Sequence, residues 1–149
     1  MHMKSILMSL LLIVGLMFVT NYSYTQPQSG PSDRQALAML KEFYTAYITE
    51  LSKWPLNTKK LNEIKKKYCT VSLLNKINAQ LESGKLDSDP LLQAQDVDIS
   101  WLKTLSFNRT VKRLNTYTVS YLDTASNEKV IMYLTVIKQG EFFKISSVQ

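Results

Sequence analysis

The sequence predicts an α+β fold: three N-terminal helices packed on a curved antiparallel sheet of about four strands. Three observations carry this. Apolar residues step by three and four through residues 32–82, the period of a helix buried on one side. After Trp101 the chain turns rich in Val, Ile, Thr, Tyr and Phe, with short two-residue alternations. Helical patterns come first and strand patterns last, an order that argues for a meander with helices on one face.

The first helix opens at Ser32-Asp33-Arg34-Gln35, which fits a capping box with Ser at the N-cap and Gln three residues on. Asp33 in the first turn suits the helix dipole. The helix is expected to run to about Lys53, with Leu37, Leu40, Tyr44, Tyr47 and Leu51 as its stripe and Phe43 and Ile48 widening it. Trp54-Pro55 ends it, because proline disfavours helical geometry in the preceding residue. Asn57 caps a second helix over 58–68, with Leu61, Ile64 and Tyr68 inward. Thr70 caps a third over 71–82, with Leu74, Ile77 and Leu81 inward, and Gly84 stops it.

Four strand segments follow. In the first, residues 104–114, Leu105, Phe107 and Val111 share a face. In the second, 115–123, Tyr117, Val119 and Tyr121 do. Val130 to Ile137 is apolar on both faces apart from Tyr133 and Thr135, which reads as a central strand. Gln139-Gly140 makes a tight turn into the last strand, 141–148. Residues 124–128 form a polar loop, where Asp123-Thr124-Ala125 resembles a bacterial O-glycosylation acceptor.

Ahead of these elements, Lys4 precedes a 14-residue apolar run, Ile6 to Val19. That is short of the roughly 20 residues a spanning helix needs. Ser23 and Thr25 supply small residues before a cut at Gln26. The layout is that of a secretory signal peptide over 1–25, then a flexible lead over 26–31 and one α+β domain over 32–149. The expected location is periplasmic or secreted, with no stable membrane insertion after cleavage. No Cys follows the apolar run, so a lipoprotein anchor is not expected.

The residue inventory excludes whole chemistries. Cys69 is the single Cys, so packing rather than an internal disulfide must hold the domain, and a buried thiol is the reading its apolar neighbours favour. His2 is the single His and lies in the leader. Ser-His-Asp and Cys-His catalysis and His- or Cys-ligated metal sites are therefore not expected, and no cofactor is. The four Gly, at 15, 30, 84 and 140, are isolated and build no phosphate loop. Lys59, Lys60, Lys65, Lys66 and Lys67 crowd the second helix. They make either a solvated face or an electrostatic attraction to anionic lipid, polysaccharide or an acidic protein. Export and the lack of a nucleic-acid motif argue against nucleic acid.

The stretch 87–98 holds Asp87, Asp89, Asp96 and Asp98 in a chain of net charge +6. A calcium loop starting at Asp87 fails at its sixth position, Leu92, where Gly is needed. The reading favoured by local chemistry is structural: Asp89 as a cap, Pro90 at the first helical position, and Leu91 and Leu92 seating one turn on the core. Gln93, Gln95 and Asp96 would bond the backbone of the connection. The rival reading puts Asp96, Trp101, Tyr117 and Tyr121 around one pocket, where burial would raise the pKa of Asp96 and suit it to acid/base work.

Several stretches carry a resemblance: "FYTAY", "KYCTVSLLNKI", "DPLLQAQD" and "YLTVIKQGEFFKISSV". On these, residues 36–149 look like the exported bacterial family called domain of unknown function 3828, within the nuclear-transport-factor-2-like (cystatin-like) superfamily. The resemblance implies a cone-shaped fold with a pocket at its wide end. Some members of the superfamily are enzymes with Asp-His or Tyr-Asp pairs, and the His-dependent versions cannot operate here. The functional expectation is a non-catalytic envelope module that binds a protein, peptide or glycan. One alternative is an acid/base enzyme using Asp96 with Tyr117 or Tyr121; another is an inhibitor or immunity-type protein. Strands at the sheet edge would allow a homodimer.

Overall fold

The computed structural model describes residues 31–149; the expected leader and the lead to residue 30 lie outside the described residues. Helix α1, Pro31–Leu51, begins with proline, whose missing N–H has no intrahelical partner to lose in a first turn. Its buried line is Ala36, Leu40, Phe43, Tyr44, Tyr47 and Ile48, while Leu37 and Leu51 are only half-buried. The helix stops two residues short of Lys53. The Ser52 hydroxyl folds back onto the Ile48 carbonyl at 2.7 Å, and Trp54–Pro55, a cis peptide, follows.

Helix α2, Thr58–Tyr68, is capped as expected: Asn57 accepts from Lys60 N–H at 3.0 Å. Helix α3, Val71–Glu82, is capped by Thr70, which accepts from Leu73 N–H at 3.2 Å. The inward line of α3 differs from the expectation. Leu73 and Ile77 are buried, Leu74 is half-buried, and Leu81 is 56% exposed. The α3 helix meets α2 and the last strand, so its first two turns face apolar neighbours and its last turn does not.

The strands are β1, Ser106–Arg109; β2, Thr116–Asp123; β3, Glu128–Gln139; and β4, Phe142–Val148. They form an open antiparallel sheet in the order β1-β2-β3-β4. With the three helices packed against it, the architecture is α+β. Tyr117, Val119 and Tyr121 of β2 and Met132, Leu134 and Val136 of β3 point into one core with α1. Ile131, Tyr133 and Ile137 stand on the opposite face, 38–46% exposed. So β3 is central in order but covered on one side among the described residues. β1 is shorter than expected. Thr110 N–H bonds the Thr116 carbonyl at 2.8 Å and closes the hairpin early. Val111 and Leu114 therefore ride in the turn, 73% and 83% exposed, rather than sharing a face with Phe107.

Two tertiary links complete the frame. Thr70 N–H bonds the Ile145 carbonyl at 2.9 Å, so the α2–α3 connection occupies part of the free edge of β4. Between α3 and β1 lies a loop that ends in a short 3-10 helix, Ile99–Lys103. None of the described helices is long and apolar enough to cross a membrane.

Candidate functional site

The acidic stretch folds into a closed single turn. Asp89 N–H bonds the Ala94 carbonyl at 2.8 Å, and Gln93 N–H returns to the Asp89 carbonyl at 2.6 Å. Gln93 takes the left-handed conformation, φ 56°, to close the circuit. Inside it, Asp89 Oδ1 accepts from Leu91 N–H at 2.7 Å, the local bond a capping Asp before Pro90 is built to make. Leu91 and Leu92 are fully buried beneath the turn.

Three tyrosines hold this turn from below. The Tyr47 hydroxyl donates to Asp89 Oδ2 at 2.7 Å, Tyr44 to the Leu91 carbonyl at 3.0 Å, and Tyr121 to the Leu92 carbonyl at 2.8 Å. Two come from α1 and one from β2, so the turn is where helix and sheet are tied together. Burial pushes all three phenols above their ordinary pKa, with the Asp89 charge adding to each; Tyr121 reaches about 12. They are donors that keep their protons. Tyr47 and Asp89 also line a recess of about 440 Å³. Their chemistry there is structural, since the phenol will not give up its proton near neutrality and the carboxylate already accepts two hydrogen bonds.

Asp96 is exposed on the rim of a second recess of about 340 Å³, which Trp101 and Tyr121 also line. Trp101 is 3% exposed and stacks on Tyr121 with ring centroids 4.2 Å apart, so neither ring offers an open face. The Trp101 indole N–H is buried without a partner in hydrogen-bonding geometry. It lies near enough to Asp123 to help hold that carboxyl below its usual pKa, behind the Ser126 hydroxyl and the Ala125 N–H. Asp98 caps the 3-10 helix by accepting from Ser100 N–H at 2.8 Å, and takes the Thr124 hydroxyl at 2.6 Å. That hydroxyl, foremost, lowers the pKa of Asp98. The hydroxyl of the Asp123-Thr124-Ala125 pattern is thus engaged with Asp98.

Tyr117 is placed elsewhere. Its hydroxyl donates to Asp33 Oδ1 at 2.9 Å, an oxygen that also lies 3.2 Å from Arg109 Nε. Burial, then the Asp33 carboxylate, pushes this phenol up to about 12. The structure therefore gathers Asp96, Trp101 and Tyr121 at one recess and sends Tyr117 to the start of α1. Among the described residues, no group of three or more His, Cys, Asp or Glu side chains is placed to hold a metal ion. Burial raises the Cys69 thiol to about 12, which leaves it a packing group.

A further concavity among the described residues is lined mostly by residues that the sequence reading did not single out as a site, apart from Lys60 and Lys67 of the lysine cluster. Two adjoining recesses, of about 940 and 680 Å³, share Ala38, Glu42, Lys67 and Tyr68. The first is floored by Ala38, Thr45, Ala46 and Thr49 of α1 and walled by Lys60 and Ile64 of α2. The second continues past Met39 to Phe142 and Phe143 at the β3–β4 hairpin. Tyr68 is fixed at the junction: its hydroxyl donates to Glu42 Oε2 at 3.2 Å, and Lys67 Nζ sits 4.6 Å from its ring centroid. The sequence signal was present but weak: small residues at 38, 45, 46 and 49 sit among the big ones of α1. Only the fold shows that α2 and the hairpin leave them uncovered.

Among solved structures, the chain is similar to a protein of unknown function from Bacteroides thetaiotaomicron VPI-5482. The two share 26% identity over 78% of this chain and 89% of the other, with a TM-score of 0.69. Comparison with protein-family models and with curated proteins gives no match.

Proposed function

We propose that this is an exported, non-catalytic binding module that takes an apolar peptide segment of a partner protein in the groove along α1. The observation that carries the reading is the continuity of the two recesses across Ala38, Glu42, Lys67 and Tyr68. Small side chains on the floor let a second backbone come close, and the walls supply Ile64, Phe142 and Phe143 for apolar contact. Glu42, Glu63, Lys41 and Lys60 at the margins offer both signs of charge to polar ends of the segment. A peptide with apolar side chains suits this lining better than a glycan, because the surface of both recesses is mostly apolar. Export to the bacterial envelope, a cone-shaped nuclear-transport-factor-2-like fold and kinship with domain of unknown function 3828 belong to the same reading. They rest on the leader pattern and the matching stretches. An inhibitor or immunity role would use the same groove, with the partner held in fixed stoichiometry. Pairing of two copies through the sheet would leave the groove open.

A photo-crosslinking amino acid at Thr45, in the groove floor, tests this in the protein's own host. The expected result is an adduct whose linked segment, read by mass spectrometry, is an apolar peptide. The adduct should vanish with Ala38→Arg and be absent when the crosslinker sits at Asn108 on the outer sheet face. Equal labelling from both positions, or adducts indifferent to Ala38→Arg, would rule the groove out.

A further inference from the structure

A second surface, at the corner that adjoins the groove, carries its own assignment. Between α1 and α2 the chain turns through Trp54, Pro55 and Leu56. Trp54 is 93% exposed and Leu56 47% exposed. Burial in water-excluding contacts is the usual fate of tryptophan, so one displayed at a turn tip needs a reason. The charge around it is one-sided: residues 50–68 contain six Lys and two Glu. The two Glu are each within reach of one Lys, Lys53 to Glu50 at 2.7 Å and Lys60 to Glu63 at 3.5 Å. Lys59 and Lys66 pair with no carboxylate among the described residues. They are exposed and seven residues apart on α2, so they lie on one face of the helix, about 10 Å apart. The Asn57 cap fixes the start of α2 directly behind the tip.

We infer that this corner docks on an anionic lipid surface. Trp54 and Leu56 enter the headgroup boundary, and Lys59 and Lys66 meet the lipid phosphates. Tryptophan favours that boundary because its ring is apolar and its N–H is polar. Lysines beside it add attraction that salt screens. The charge sign selects this occupant: an apolar tip alone would suit many partners, but an apolar tip backed by unpaired lysines suits an anionic bilayer. The docking is peripheral, because no described helix can span.

The chain has two Trp, and the other, Trp101, is 3% exposed. The emission of the full chain minus that of its Trp54→Phe variant therefore isolates Trp54. Vesicles of phosphatidylglycerol mixed with phosphatidylcholine should shift this difference spectrum to the blue and expose it to quenching by brominated lipid. Pure phosphatidylcholine should do neither, and 0.5 M salt should reverse the shift. Lys59→Gln with Lys66→Gln should weaken the apparent vesicle affinity about tenfold to thirtyfold. The leader has no Trp, so a lipid contact of its own registers only by carrying Trp54 to the bilayer, and such a contact would not depend on Lys59 and Lys66. A Trp54 spectrum that stays red on anionic vesicles overturns the inference. So does a blue shift equal on both lipids, or one produced only by adding a protein partner. Trp101 emission read in the Trp54→Phe background, with and without the lysine substitutions, should be unchanged and checks that the fold is intact.

Discussion

The Tyr47 hydroxyl donates to Asp89 Oδ2 at 2.7 Å across 42 residues of sequence, and so joins α1 to the turn between the helices and the sheet. Asp89 also takes Leu91 N–H, so one carboxylate serves a local cap and a long-range tie. Asp89→Ala should destabilise the protein by about 2–4 kcal/mol, since it strands a buried N–H and a phenol at once. Tyr47→Phe should cost about 1–2 kcal/mol, because the Leu91 bond survives. Urea unfolding of both single variants and the double variant should show the two costs overlapping. Strictly additive costs would mean that the two groups are energetically independent.

Alkaline pH should weaken the fold. Tyr117 and Tyr121 move from 10.0 to about 12, and Cys69 from 9.0 to about 12. Each group holds its proton more tightly in the folded protein than in the unfolded chain. Their stabilisation is complete below about pH 9 and drains as pH climbs toward 12. Unfolding midpoints measured from pH 8 to 11.5 should fall, and Tyr121→Phe with Cys69→Ala should flatten that decline. At the acid end the sign reverses. Asp98 and Asp123 are depressed below 3.8, so what they contribute is present above that pH and lost as pH falls through their folded values.

Two leucines on neighbouring segments should respond very differently. Leu92 is fully buried beneath the turn, and Leu92→Ala should cost about 2–5 kcal/mol through lost burial and the cavity it leaves. Leu81 is 56% exposed, and Leu81→Ala should fall within about 0.5 kcal/mol of wild type. Thermal denaturation of both variants decides whether the buried stripe of α3 extends to Leu81 or stops at Ile77.

Gly140 sits at φ +62° in the β3–β4 turn, with nothing within 4 Å of where a Cβ would stand. Gly140→Ala should therefore cost about 1–2 kcal/mol from backbone strain alone. Gly140→Asn should cost less, because asparagine tolerates that conformation. The two unfolding midpoints, compared directly, separate strain from crowding: crowding would penalise the larger Asn more.

Trp101 shows how far local patterns reached into the candidate site. The sequence offered Asp96, Trp101, Tyr117 and Tyr121 around one pocket only as the rival to a structural turn, and three of the four line one recess. That the Trp101 ring would stack on Tyr121 and be sealed was not legible, since stacking depends on the approach of β2 twenty residues later. Tyr117 and Tyr121 lie four residues apart on one strand, with Val119 between them, and share a face. Their hydroxyls nonetheless reach Asp33 at one end of α1 and the Leu92 carbonyl at the acidic turn, because a strand spreads successive same-face residues along its length. The groove was the least legible feature, because a groove is defined by what fails to cover α1.

The sequence by itself determined the element types and order, the caps at Asn57 and Thr70, the turn at Gly140 and the Asp89 cap before Pro90. Each of these depends on residues within a few positions of one another, where side-chain and backbone chemistry act directly. Tertiary structure alone decided which leucine of α3 is buried, where β1 stops, which face of β3 meets water, and that Asp89 is held by Tyr47. Those outcomes depend on groups far apart in the chain, whose meeting is set by how whole elements pack.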